Sequence, residues 1–401
     1  MRNAQAVLNA NNPSHVRRHN RRVLLHALRL SGTMSRAELA RATGLTPQAI
    51  ANIVTDLVTA GLVREAGRRK SPRGQPPIAI EIAKDGGYAI GVRIDAMHFH
   101  AVAADLGGEM IEMREGSSPD GANHAWLDFL VDIHAGFARR FGADRCLGLG
   151  LVTPGPFDIA WPGVTTPGAV PALQSRAIAD ELASRIGAEV LLENDATAAA
   201  LGEKLYGEAQ SFNDFFYVFI GEGVGAGIII GGEPYRGNRG NAGEFGHAMI
   251  DPNGPRCYCG NRGCLGEYLS LRAMRRFLDG AAQRGEHVEA ASREWINRAA
   301  EALSAGLATV ENLFDPEIII LGGAAPASLL VRLAERLGDL RPSVRQDLGR
   351  QRLHLSALGE RSAALGASAL PILAATSAGP VIRARRSSHP PDASPDRRAA
   401  G

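Results

Sequence analysis

The stretch EFGHAMIDPNGPRCYCGNRGCLGEY, residues 244–268, places His247, Cys257, Cys259 and Cys264 within eighteen positions. The chain has four cysteines in all, Cys146 being the other, which is too few for a disulfide framework in 401 residues. Clustered thiols in a reducing compartment serve as metal ligands more readily than as disulfides. Any fold for this chain must therefore bring four soft donors to one point, and the open question is whether a metal there does chemistry or holds something else in place.

At 401 residues and 45% hydrophobic content the chain is long enough for two or three globular units with their own cores. No stretch approaches the roughly 18 consecutive apolar residues of a membrane span, and MRNAQAVLNANNPSHVRR has no apolar core followed by a cleavage site. A soluble, cytoplasmic protein with no membrane partner is the expectation. The net charge of +2 is uneven: residues 1–82 hold 13 Lys or Arg against 4 Asp or Glu, or +9, which leaves −7 for the remainder. A basic head on an acidic body points to one polyanion-binding module.

In that head, Val23, Leu24, Ala27, Leu28 and Leu30 recur at helical spacing up to Gly32. Ser35 and Glu38 have the S-x-x-E form of a capping box, which opens a short helix. Gly44 turns the chain, Thr46 is placed as N-cap and Pro47 at the first helical position. Ile50, Ile53, Val54 and Leu57 form a buried stripe closed by Gly61, and Gln48, Asn52 and Thr55 lie opposite. Two short helices joined by such a turn are a helix-turn-helix, whose second helix enters the major groove. Gln48 and Asn52 are amides suited to paired contact with adenine. The segment after Gly61 reads as two strands around a loop with Arg68, Arg69, Lys70 and Arg73, a wing for phosphates or the minor groove. The candidate DNA contacts are thus Thr46, Gln48, Asn52 and these four cations, in a segment that resembles the winged helix of bacterial repressors.

From about residue 86 the pattern changes. YAIGVRIDAMHFHAVAADLGGEMIEMREG reads as a three-strand meander, followed by CLGLGLVTPGPFD as a buried strand and VLLENDATAAALGEKLYG as strand and helix. FFYVFIGEGVGAGIIIGG reads as a second hairpin and IIILGG as a late strand. Two rounds of meander and αβ units predict a duplicated α/β architecture, two lobes with a cleft lined by polar residues at strand ends.

Asn194-Asp195 after a strand, G-E-F-G-H at 243–247, C-Y-C-G-N-R-G-C at 257–264 and LGG at 321–323 together resemble the ROK family of repressors, open reading frames and kinases. The resemblance runs from the winged helix to about residue 370. It implies the actin-like, ribonuclease-H-like two-lobed fold for residues 86–376, behind a winged helix at 1–82 and ahead of a disordered basic tail at 377–401. The family binds zinc with the cysteine motif, which implies His247, Cys257, Cys259 and Cys264 as ligands. Four protein ligands leave no open position for water, so this zinc is structural. The resemblance further implies Asn194, Asp195, Glu244 and His247 as sugar contacts. Glu267 is the counterpart of a further one, displaced by one residue, which on a helix turns a carboxylate by about 100°.

In the family's kinases the aspartate matching Asp195 is the general base, and phosphates sit on D-x-G-G-T and G-T-G-x-G turns. Here these read Asp95-Ala96-Met97-His98-Phe99 and Gly221-Glu222-Gly223-Val224-Gly225. Bulky side chains fill the first. Glu222 at about 4 Å from a phosphate costs about 4 kcal/mol per unit charge at an effective dielectric of about 20. Loss of kinase activity is the expectation, so no catalytic residue. The function this implies is a DNA-binding regulator of carbohydrate genes, a homodimer or larger homo-oligomer on operator DNA that answers to a sugar effector. An active ATP-dependent sugar kinase with a fused DNA-binding head is the alternative.

Overall fold

Helix α1 (Pro13–Ser31) opens the computed structural model, which describes residues 13–68, 77–119, 123–158, 166–338, 341, 343–344 and 351–376. Leu24, Leu25 and Leu28 are buried, but Leu30 is 67% exposed, because two residues beyond Leu28 a helix has turned about 200°. Strand β1 (Met34–Ser35) runs into α2 (Arg36–Thr43) through the capping box: Glu38 N donates to Ser35 Oγ and Ser35 N to Glu38 Oε2 at 2.7 Å. Thr46 caps α3 (Pro47–Thr59) by accepting from Ala49 N at 3.2 Å. Ile50, Ile53, Val54 and Leu57 close the core over Leu24, Leu25, Leu28 and Leu39. Strands β2 (Val63–Arg68) and β3 (Ile78–Ile82) pair antiparallel, with β1 on the other edge of β3. The wing residues Arg69, Lys70 and Arg73, and the tail at 377–401, lie outside the described residues.

The body repeats one topology. In its first lobe β4 (Tyr88–Ile94), β5 (His98–Asp105) and β6 (Met110–Ser117) form the meander. Helix α4 (Asn123–Phe141), β7 (Cys146–Val152), α5 (Ala177–Ile186) and β8 (Val190–Glu193) follow, giving the sheet order β6-β5-β4-β7-β8 with β4, β7 and β8 parallel. Helix α6 (Asp195–Tyr206) crosses to the second lobe. There β9 (Phe215–Ile220), β10 (Val224–Ile230), β11 (Glu233–Pro234), β12 (Ile318–Gly323) and β13 (Leu353–Leu355) repeat the pattern as β11-β10-β9-β12-β13. Helices α7 (Gly266–Leu269), α8 (Leu271–Gln283) and α9 (Val288–Phe314) precede β12, and α10 (Ala327–Leu337) follows it.

The last helix, α11 (Ser362–Thr376), returns to pack on β4 and β7 of the first lobe, on α6 and on α1. Residues 196–203 of α6 are all buried, so it is a core helix with no solvent face. The two helices touch backbone to backbone: a Cβ on Gly366 would stand 1.7 Å from the Ala198 carbonyl oxygen. The carboxyl ends of β4, β7, β8 and β9 all open on the space between the lobes, where parallel sheets place their ligands.

Candidate functional site

The cleft between the lobes is a partly open, polar-lined site to which both lobes contribute residues. From the first lobe, Arg93 and Asp95 reach it from the end of β4, and Asn194 and Asp195 from the end of β8. From the second come Glu222, Glu244 and Tyr258. Asn194 is the N-cap of α6, its Oδ1 accepting from Thr197 N at 2.7 Å. Asp195 Oδ1 accepts from Ala196 N at 2.9 Å. Burial pushes the Asp195 carboxyl above the usual range, and Arg93 works against that shift.

Gly243 fixes where Glu244 stands. It has a positive φ of 95°, and a Cβ there would meet the Ala226 carbonyl oxygen at 2.1 Å, so only glycine lets the segment press onto β10. Ala226 N donates to Gly243 O at 2.7 Å in consequence. Glu244 is open to cleft water along part of its length, but the walls around its carboxyl and then the charge of Asp195 push it up to about 7.

Behind Glu244 the donor atoms of His247, Cys257, Cys259 and Cys264 lie within 4.8 Å of one another. Cys259 Sγ to Cys264 Sγ is 3.7 Å, as is Cys257 Sγ to His247 Nδ1. Metal–sulfur bonds of about 2.3 Å in a tetrahedron have edges of about 3.8 Å, so the group has the size of a four-coordinate metal site. His247 Nδ1 faces the thiols, while Nε2 lies 2.8 Å from the Tyr258 hydroxyl. Burial raises the Tyr258 phenol, which therefore keeps its proton.

The structure therefore brings Asn194, Asp195 and Glu244 to the cleft wall and sets His247 one residue behind it, with Tyr258 between. Glu267 is not on that wall. Its side chain is 1% exposed, gripped by Arg272 at 2.7 Å and Arg276 at 2.8 Å. The one-residue displacement turns it from the cleft into an ion-pair cluster. Tyr258 sits between Cys257 and Cys259, and in the sequence only those neighbours carry a signal.

Both phosphate turns differ from their sequence picture. Met97 is 65% exposed, His98 is exposed and Phe99 packs on Phe129 at 4.8 Å between ring centres, so none of them fills the cleft. Instead Asp95 Oδ1 accepts from Met97 N and His98 N at 2.9 Å each, so the amides of the turn are already used. Glu222 is not a bare charge: it is ion-paired with Arg275 of α8, which weakens the repulsion first assigned to it. In the head, Gln48 and Asn52 are exposed on α3, and Gln48 Nε2 donates to Asn52 Oδ1 at 3.2 Å. Thr46, exposed at the start of α3, accepts the cap hydrogen bond on its hydroxyl oxygen and keeps its O–H to donate. Arg68 ends β2 at the start of the wing.

The body has two lobes, each with a 3-2-1-4-5 sheet, and its residues 89–373 match the model of the ROK family. The chain belongs to the ROK family. Residues 22–72 match the MarR family, whose region here is the winged helix. The xylose repressor of Bacillus spizizenii is 30% identical over 369 residues, covering 89% of this chain and 96% of that one. The crystal structure of a ROK family transcriptional regulator, a homologue of the Escherichia coli MLC protein, superimposes with a TM-score of 0.72 at 26% identity, covering 91% of this chain and 98% of its own. The glucokinase of Thermotoga maritima is 34% identical over 221 residues, but these span 48% of this chain and 69% of that enzyme. ROK regulators thus match head and body together, and this kinase matches part of the body. Among the described residues no helix is long and apolar enough to cross a membrane.

Proposed function

We infer that this ROK protein is a sequence-specific transcriptional regulator of carbohydrate-metabolism genes, acting as a repressor, whose winged helix (residues 1–82) is controlled by a sugar held between the lobes of the body (residues 86–376). The observation that carries the reading is the course of α6. It begins in the cleft at Asn194 and Asp195 and ends toward the head, where the Lys204 charge acts on His26 of α1 and where α11, packed along α6, rests on α1. A ligand that favours one lobe arrangement can shift DNA affinity by as much as its differential affinity for the two.

In this reading Gln48 and Asn52 read bases, while Arg68, Arg69, Lys70 and Arg73 meet phosphates. Two copies of the chain bind half-sites about one helical turn apart. Asn194, Asp195, Glu244 and Tyr258 bind sugar hydroxyls. His247 and Glu267 position them: His247 holds the Tyr258 hydroxyl, and Glu267 anchors Arg272, which lies over the Tyr258 ring at 5.6 Å. The donor set of three thiols and one imidazole suits structural zinc, which would tie the loop of Tyr258 to the segment of Glu244 with no position left for water.

The kinase alternative, with Asp195 as general base, is disfavoured because the Asp95 turn has turned its amides on itself and Glu222 with Arg275 occupies the second turn. Binding of full-length protein to its own promoter DNA, followed by fluorescence anisotropy across a sugar panel, tests the regulator reading. One sugar should change DNA affinity by about 5- to 150-fold. Sugar-dependent ADP release under saturating ATP would restore the kinase reading.

A further inference from the structure

On the rim of the cleft, residues 236–241 of the second lobe lie against the first. Arg236 Nε donates to Glu193 Oε2 at 2.7 Å, and the two side chains are only 18% and 5% exposed. Asn241 holds the main chain of Phe157 with both ends of its amide, Oδ1 accepting from Phe157 N at 3.3 Å and Nδ2 donating to Phe157 O at 3.4 Å. Beside it Arg176 Nη2 donates to Gly240 O at 3.2 Å, while Arg176 Nε lies 3.3 Å from Asp158. Gly240 has a positive φ of 76°, and a Cβ there would stand 2.6 Å from Arg176 Nη2, so the bend disfavours any other residue. Ala242 N donates to Arg236 O at 3.0 Å and ties the ends of the loop together. The loop runs on into the cleft wall at Ala242 and Gly243, and the segment it holds lines the cleft at Pro154 and Gly155. Glu193 is the last residue of β8, and its other oxygen, Oε1, accepts from Asn194 N at 2.9 Å.

We propose that Glu193 and Arg236 are positioning residues of the cleft: their ion pair, with the Asn241 clamp beside it, clasps the two lobes together and supports Asn194 from the opposite lobe. A guanidinium and a carboxylate this far out of water make a charge-assisted hydrogen bond, and separating them leaves a buried charge without its partner. The pair therefore resists parting of the lobes. Glu193 has two oxygens and two tasks, since Oε2 binds the second lobe while Oε1 orders the backbone of Asn194, the residue that caps α6. A change of lobe spacing felt at Arg236 thus reaches the N-terminus of α6 through one carboxylate. Asn241 adds no charge, but two hydrogen bonds to a single residue fix its direction as well as its distance. Asn194's place in a ligand site rests on the sugar reading, whereas the clasp itself stands without it.

Hydrogen–deuterium exchange of the ligand-free full-length protein, read by peptide mass, tests the clasp with no sugar present. In Arg236→Met the amides of 154–158, 194–198 and 240–247 should exchange about fivefold faster or more, while β4 and β9 in the lobe cores keep their rates. Arg236→Lys keeps a cation within reach of Glu193 and should recover most of the lost protection. Glu193→Gln should quicken the same peptides, and adding it to Arg236→Met should change their rates by less than about twofold, because both substitutions remove one contact. If Arg236→Met does not fold, Asn241→Ala, which leaves no charge unpaired, decides alone by quickening 154–158 with the core strands unchanged. Rim peptides that exchange as before, acceleration spread equally over rim and core, or no recovery in Arg236→Lys overturns the proposal. Each of these results leaves the sugar reading standing, and that reading fails separately when no sugar alters DNA affinity.

Discussion

At Glu244 two effects act in the same direction, burial first and the Asp195 charge second, and together they hold the carboxyl near 7. Its folded-state value lies above that of the unfolded chain. Its contribution to stability is therefore fully present below the ordinary carboxylate range and is lost as pH rises through about 7. The melting temperature of the ligand-free protein should fall over that window, and Glu244→Gln should flatten the fall. Affinity for an uncharged sugar should rise over the same window, since the ionised carboxylate is the better acceptor, and Glu244→Gln should remove that dependence too. The cysteines make a second residue-scale case. Burial, with the neighbouring thiols adding, pushes Cys264 up to about 12, so at neutral pH a divalent cation must displace its proton to bind. Metal analysis should find about one zinc per chain, and chelation or Cys264→Ser should lower the melting temperature of the body and weaken sugar binding. A chelated protein that melts and binds as before would refute a structural metal. That these four residues form one cluster was legible in their spacing. That Tyr258 connects the cluster to the cleft was not, because hydrogen bonding across a loop leaves no periodic trace.

Elements differ in how far their sequence reveals them. The capping box at Ser35 and Glu38 and the Thr46 cap are local, made between residues three apart, and each appears in the structure where the sequence places it. The hydrophobic stripe of α3 is local in the same sense. Helix α11 is different: SAALGASALPILAAT has no polar face, so its composition says only that it is buried and not against what. Its partner is decided by small residues on both sides, with Gly366 over the backbone of α6. A methyl group there has no room, so Gly366→Ala should destabilise the body by about 1–3 kcal/mol, read as a shift in its denaturation midpoint. A neutral Gly366→Ala would show that α6 and α11 separate more readily than their contact suggests. Glu267 teaches the complementary lesson. Its displacement was legible, but only the positions of Arg272 and Arg276 determine that it ends in an ion-pair cluster.

On the scale of the whole molecule, α1 belongs to the core of the head through Leu24, Leu25 and Leu28, and it also rests on α11 of the body. Arg29 lies at that junction, where burial lowers its guanidinium and the Glu233 carboxylate offsets part of that shift. Arg29→Ala should leave sugar affinity and DNA affinity each within about threefold while reducing the effect of one on the other, a coupling of typically about 1–3 kcal/mol. Anisotropy titrations at saturating and zero sugar measure it, and an undiminished coupling would place the route elsewhere. The sequence by itself determined what depends on near neighbours: the winged helix, the order of strands, the duplication and the ligand cluster. It did so because caps, turns and alternating burial are set within a few residues. Only the tertiary structure decided what depends on distant ones: which carboxylates face the cleft, which arginines are already paired, and that α6 and α11 join the cleft to the head. Some of those contacts unite distant residues, as Arg275 with Glu222 across 53 positions, and others depend on how short segments turn in space, so the charges they balance have no signature along the chain.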